Sequence, residues 1–260
     1  MMSIKAFVKK LVCGNDFPVE TLVQPNCLFP THSDVAPVRP LSEVDLVKVD
    51  LTYATMYGLH SHCHVGLANE IAELRGSENL SPKMLEIASG SGWNSTKFIL
   101  AGFDYYALDL CEPALVVLMR RHPEAKFLNI DIADSALISD NAFDVVFSSS
   151  MLEHLENYAR ALTDMVRISR SHLFVTFFEG LLDGEEDKIV QHEYIEDNYS
   201  FYGRKWADLQ KSYNNTFFWN RYSRKTIEQI VKDAGAKNIE FLTSENRSYL
   251  KGETILHVTK

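Results

Sequence analysis

The stretch Glu86-Ile87-Ala88-Ser89-Gly90-Ser91-Gly92-Trp93-Asn94 decides how the rest of this chain is read. It follows Met84-Leu85, so residues 84–88 form a short apolar run with no helical period, which predicts a buried strand. Small residues then let the backbone turn tightly and pass close to a ligand. A helix is expected from Asn94 to Ala101, stopped by Gly102, and its first free N–H groups point back at the turn. Tight strand-to-helix turns also use glycine without any ligand, so the loop alone settles nothing.

Working outward, the same alternation repeats. Strands are expected at Tyr105–Leu108, Phe127–Ile130, Phe143–Phe147 and His172–Phe178. Helices are expected at Pro113–Arg121 and Asn157–Ile168, with Pro113 suited to a first helical turn. After a break between Glu179 and Tyr222 come a helix from Ser223 to Ala234, with Gly235 as its stop, and strands at Asn238–Leu242 and Thr254–Val258. This rhythm predicts an α/β fold, a mostly parallel sheet with helices on both faces.

In such a sheet ligands bind beyond the carboxyl ends of the strands, where strand order reverses. Three carboxylates fall there. Glu86 lies in the end of the first strand, Asp109 ends the second, and Asp131 follows the third. A carboxylate at the end of the second strand suits two ribose hydroxyls, and Asp131 is within reach of an adenine ring. Any one of them could be a helix cap or a solvated turn residue, but all three at adjacent strand ends point to a nucleoside-like ligand.

The run Glu86–Gly92, then Asp109, then Asn129-Ile130-Asp131-Ile132, then Phe143 to Leu155 with its Ser148-Ser149-Ser150-Met151-Leu152-Glu153-His154 turn, resembles the class I S-adenosylmethionine-dependent methyltransferases. Within that class it is similar to the small-molecule branch that includes ubiquinone and menaquinone biosynthesis enzymes. The resemblance covers roughly residues 82–178 and implies a Rossmann-like seven-stranded sheet whose last strand runs antiparallel. It implies that the cofactor is S-adenosylmethionine, leaving as S-adenosylhomocysteine. It also implies cofactor contacts by Glu86, Ala88, Gly90, Gly92, Asp109, Leu110, Asp131, Ile132 and Ser148. Glu86 would anchor the loop and, through its surroundings, the methionine ammonium. Asp109 would hold the ribose hydroxyls, Leu110 would flank the adenine, Asp131 would accept from its amino group, and Ile132 would lie against the ring. Ala88 stands where the family has glycine, and one added methyl predicts a tighter loop rather than lost binding. A dinucleotide-binding dehydrogenase is the nearest mimic, but its third glycine is Ser95 here and Asp131 has no comparable task in it.

On the acceptor side, His154 lies just past the fourth strand and is the candidate general base, since histidine is matched to neutral pH. Bracing the loop is its competing role. His60, His62 and His64, with Cys63 between them, form an unusual cluster. No fourth ligand is evident, so no metal is expected, and His60 and His64 are assigned with Tyr57 to the acceptor pocket. The 179–222 stretch holds Tyr202, Trp206, Trp219 and Tyr222 among many aromatics, which suits a cover over an aromatic, sugar or semi-polar acceptor, or a dimer contact.

Bulk properties bound the rest. The chain has 260 residues, 46% hydrophobic composition and a net charge of −9. That supports one sizeable core and disfavours large nucleic acid substrates. No apolar run reaches the length of a membrane span, and no secretory signal is read at the start. Four cysteines without paired zinc spacing read as reduced thiols in a cytoplasmic protein. The expected organisation is a helical N-terminal section at 1–80 and a methyltransferase domain at 81–260 with a cap insertion at 179–222. The expected activity is methylation of a small molecule, most simply at oxygen on a glycan precursor, a secondary metabolite or a quinone-like ring. The alternatives are a nitrogen or carbon methyltransferase on the same scaffold, or a non-catalytic cofactor-binding regulator. A homodimer is also compatible with the aromatic segment.

Overall fold

The computed structural model describes residues 66–74, 83–110, 112–184, 186–189, 191–193, 216–218, 220–250 and 252–260. A helix, α1, spans 66–74. There follow β1 (Lys83–Ile87), α2 (Ser95–Leu100), β2 (Asp104–Leu108), α3 (Glu112–Arg121), β3 (Lys126–Leu128) and β4 (Phe143–Ser149). Then come α4 (Tyr158–Ile168), β5 (Ser169–Phe177), β6 (Gln191–Glu193), β7 (Thr216–Phe218), α5 (Arg224–Asp233), β8 (Asn238–Leu242) and β9 (Thr254–Thr259). Seven strands form one sheet in the order β3-β2-β1-β4-β5-β9-β8. Neighbours pair in parallel except β9, which runs antiparallel to both β5 and β8. The expected seven-stranded α/β sheet with an antiparallel last strand is the one observed.

Both faces of the sheet are buried, which is why its strands read as nearly continuous apolar runs. Alternate residues serve the two faces. Leu85, Ile87, Tyr106, Val146, Leu173 and Val175 pack with Leu162, Met165 and Val166 of α4 and with Ile227 and Val231 of α5. Met84, Tyr105, Val145, Phe147 and Phe174 pack on the other side with Leu67 and Ile71 of α1, Phe98 of α2 and Leu118 of α3. Helix α5 begins where expected, because the Ser223 hydroxyl accepts from Thr226 N at 3.0 Å and caps it.

The structure moves several boundaries. Strand β1 stops at Ile87, and Ala88 turns away with φ of 57°. Strand β3 ends at Leu128 rather than Ile130, since the Asn129 side chain is drawn into bonds with the loop after β2. Strand β4 continues through Ser148 and Ser149, whose backbones stay in register with Ile87 and Thr176. Within 179–222, β6 and β7 pair as an antiparallel ribbon. Tyr222, counted with the aromatics of the cover, is instead a core residue at 1% exposure, stacked on Tyr158 with 4.1 Å between ring centres.

Candidate active site

Sheet order reverses between β1 and β4, so the crevice at their carboxyl ends is the natural binding position. The loop from Ala88 to Asn94 forms its floor. Ala88, Gly90 and Gly92 all have positive φ, at 57°, 55° and 83°. At Ala88, where the resemblance leads one to expect glycine, the methyl sits on a left-handed backbone, which is strained for an L side chain. At Gly92 a Cβ would also come within 2.6 Å of Leu118 Cγ, so packing against α3 demands glycine.

Three bonds hold this loop. The Ser89 N–H donates to Leu108 O at 3.2 Å, and the Gly90 N–H donates to Asp109 Oδ2 at 2.8 Å. From outside, Arg121 Nη1 donates to Ser91 O at 2.8 Å while its guanidinium covers the Trp93 ring at 4.9 Å. Asp109 is therefore buried and already engaged on one oxygen. Asn129, which the sequence reading passed over, donates through Nδ2 to Asp109 O at 2.9 Å and Leu110 O at 3.2 Å. It ties the ends of β2 and β3 together. Leu110 is exposed, Asp131 is half-buried, and Ile132 lies in the core at 4% exposure.

Glu86 sits beneath the loop, 1% exposed. Its Oε1 accepts from Asn94 Nδ2 at 3.2 Å, and its Oε2 accepts from Ser95 Oγ at 3.5 Å and from the Tyr105 hydroxyl. Burial pushes its pKa up to about 7 against these bonds, with Asp109 adding to the rise. The role of a loop anchor fits this geometry.

Polar atoms without partners mark where a ligand can bond. Among the described residues, the hydroxyls of Ser89, Ser91 and Ser148 are buried with no hydrogen-bond partner. An unmade bond to a buried hydroxyl costs about 1–3 kcal/mol, so such groups call for a polar ligand or water. All three sit at the ends of β1 and β4.

Past β4 the chain makes a turn at Leu152–His154. His154 is half-buried there, and its N–H donates to Met151 O at 3.0 Å. Its neighbour Glu153 is more confined. Glu153 Oε1 accepts from Phe178 N at 2.8 Å, Oε2 is buried without a partner, and burial pushes the carboxyl up to about 7. The same turn receives the returning chain, with Asn220 N donating to Glu153 O at 2.8 Å and the Tyr222 hydroxyl donating to Leu152 O. Sequence pattern drew attention to His154 and passed over Glu153. Its burial was signalled only by Leu152 and Leu155 around it.

The residues expected to line the acceptor pocket, Tyr57, His60, His64, Tyr202, Trp206 and Trp219, lie outside the described residues, as does His62. Among the described residues no group of three or more metal-binding side chains is gathered, and no helix is long and apolar enough to cross a membrane.

Residues 85–174 match the family described as methyltransferase domain, and this span contains the loop, all three strand-end carboxylates and His154. The chain carries a class I S-adenosylmethionine-dependent methyltransferase domain. A demethylmenaquinone methyltransferase of Renibacterium salmoninarum is 34% identical over 88 residues, which is 34% of this chain and 37% of that protein. The match thus spans little more than a third of that relative. Among solved structures, the 1,6-didemethyltoxoflavin N1-methyltransferase of Burkholderia thailandensis, with S-adenosylhomocysteine bound, superposes with a TM-score of 0.54 at 14% identity. It covers 85% of this chain and 92% of its own. The magnesium protoporphyrin IX methyltransferase of Synechocystis PCC 6803, with S-adenosylmethionine bound, gives 0.52 at 12% identity over 80% and 89%. At such identities these two establish the sheet of the methyltransferase domain and not its acceptor.

Proposed function

We propose that this chain is an enzyme that transfers the methyl group of S-adenosylmethionine to a small-molecule acceptor, with oxygen the methylated atom. The observation behind the cofactor assignment is the trio of buried hydroxyls without partners, Ser89, Ser91 and Ser148, beside Asp109 at the crevice. These residues suit a ligand with a charged amino-acid end and a ribose. Asp109 would hold the ribose hydroxyls. Asp131, Leu110 and Ile132 would surround the adenine, and Ala88, Gly90 and Gly92 would line the floor through their backbones. When bound, the sulfonium supplies an already activated methyl group.

The protein's own work is then alignment, exclusion of water and removal of a proton. His154 stands at the mouth past β4 and would take the proton from an alcohol acceptor. The 179–222 segment, with Tyr202, Trp206 and Trp219, would cover the acceptor beside Tyr57, His60 and His64. The small-molecule class is supported by the curated relative, a demethylmenaquinone methyltransferase. A cytoplasmic location and a homodimer remain part of this proposal, as does the division at residue 80.

The test is calorimetric titration with S-adenosylmethionine, followed by measurement of S-adenosylhomocysteine release across a panel of alcohols, phenols and amines. With an alcohol acceptor, His154→Ala is expected to lower turnover about 100- to 10,000-fold while cofactor affinity barely moves. Near-normal turnover in that variant removes His154 from the chemistry. Loss of turnover and cofactor binding together assigns it to bracing the loop.

A further inference from the structure

Beneath the cofactor loop, Glu86 has both oxygens engaged by the protein itself. Asn94 and Ser95 bond it from the start of α2, and Tyr105 bonds it from β2. The Tyr105 hydroxyl continues the chain of bonds, since it also lies 2.7 Å from Ser95 Oγ. Tyr105 is 3% exposed and Ser95 is fully buried, so water does not compete for these atoms. The strand neighbours of Glu86 are Ala107 and Phe147, which offer it no charge. The charged groups that do act on it are Asp109, which opposes its ionisation, and Lys97 on α2, whose own pKa burial lowers against the pull of Glu86. Among the described residues no cation is bonded to the carboxyl.

We propose that Glu86, Tyr105 and Ser95 form a proton-linked brace of the cofactor loop, in which Glu86 is protonated before a cationic cofactor binds and releases that proton to solvent as it does. This inference rests on the cofactor reading above. Its physical basis is that a positive charge brought to the crevice favours the ionised carboxyl, while without it burial favours the neutral acid. Tyr105 is then a positioning residue. It never meets the ligand, but its hydroxyl decides how readily Glu86 ionises and how firmly Ser95 starts α2. Ionised Glu86 accepts all three bonds at full strength and fixes the loop that Asn94 and Ser95 terminate.

The experiment is calorimetric titration of the whole protein with S-adenosylmethionine, without acceptor, between pH 5.5 and 8.5. Each pH is measured in two buffers of different ionisation enthalpy, so that protons released are counted directly. About one proton per cofactor is expected at the acid end and none at the alkaline end. Affinity should weaken by about tenfold per pH unit below the midpoint near 7. In Tyr105→Phe the midpoint should move to higher pH, and affinity at pH 7 should fall roughly three- to tenfold, because a bond that favours the ionised form is gone. In Glu86→Gln the proton release should vanish and affinity should become flat with pH. The count on the parent protein needs no variant, so it stands even if Glu86→Gln does not fold. Binding that is flat with pH and releases no proton overturns the brace and leaves the cofactor assignment intact. Failure of S-adenosylmethionine to bind at any pH overturns the cofactor assignment and the brace with it.

Discussion

At the scale of single residues, two positions behave differently from their sequence neighbours. Asp109 is buried and holds the Gly90 N–H at the end of β2, beside the crevice. Asp109→Ala is expected to weaken S-adenosylmethionine binding by roughly 1.5–3 kcal/mol, because charged hydrogen bonds are lost and the Gly90 donor loses its acceptor. Calorimetry on the folded variant checks this, and an unchanged dissociation constant rejects the assignment. Ala88 holds φ at 57°. Relief of left-handed strain outweighs the extra freedom that glycine has when unfolded, so Ala88→Gly should stabilise the protein by about 1 kcal/mol in urea denaturation. A loss of stability would mean that the methyl contributes packing that outweighs the strain. The carboxylates at strand ends were legible because strand ends follow from apolar runs. The engagement of Asp109 by Gly90 was not, because it depends on the path of the loop between them.

Among elements, the turn at Leu152–His154 after β4 is the joint that bonds the chain just past β5 and again as it comes back from the 179–222 excursion. Its bonds to Phe178 and Asn220 run through Glu153. Burial raises the Glu153 carboxyl from the usual 4.5 to about 7, so the folded state holds its proton more tightly than the unfolded chain does. The stability this confers is complete below pH 4.5 and is lost as pH rises through 7. Between pH 4.5 and 8, the parent should therefore lose roughly 3 kcal/mol more stability than Glu153→Gln. Denaturant titrations of both proteins at the two pH values measure this, and parallel losses would show that Glu153 is not the group responsible. Element types were read correctly along the sheet because its two buried faces write their period into the sequence. The β6–β7 ribbon was not foreseen, since three-residue strands are too short for an alternation to register. Tyr222 was misassigned for a related reason: an aromatic in the core and one over a ligand look alike in composition.

Across the whole molecule, charge and topology set the outer limits. A net charge of −9 gives nucleic acid no general attraction, so duplex RNA should show no retardation by the protein in a gel-shift titration at physiological salt. A salt-sensitive shift would reveal a basic patch and reopen the question of acceptor size. Topology has another effect. Strand β9 lies between β5 and β8, and β8 has no other partner in the sheet. On the ribosome, β5 therefore emerges long before the strand that will flank it. At synthesis rates of about 5–20 residues per second, the outer edge of Ser169–Phe177 waits several seconds for Thr254–Thr259. During that interval Leu173, Phe174 and Val175 belong to an open, apolar edge of the kind that recruits other strands. Yield in a heterologous host should therefore depend on translation speed and chaperone supply more than on the stability of the finished sheet.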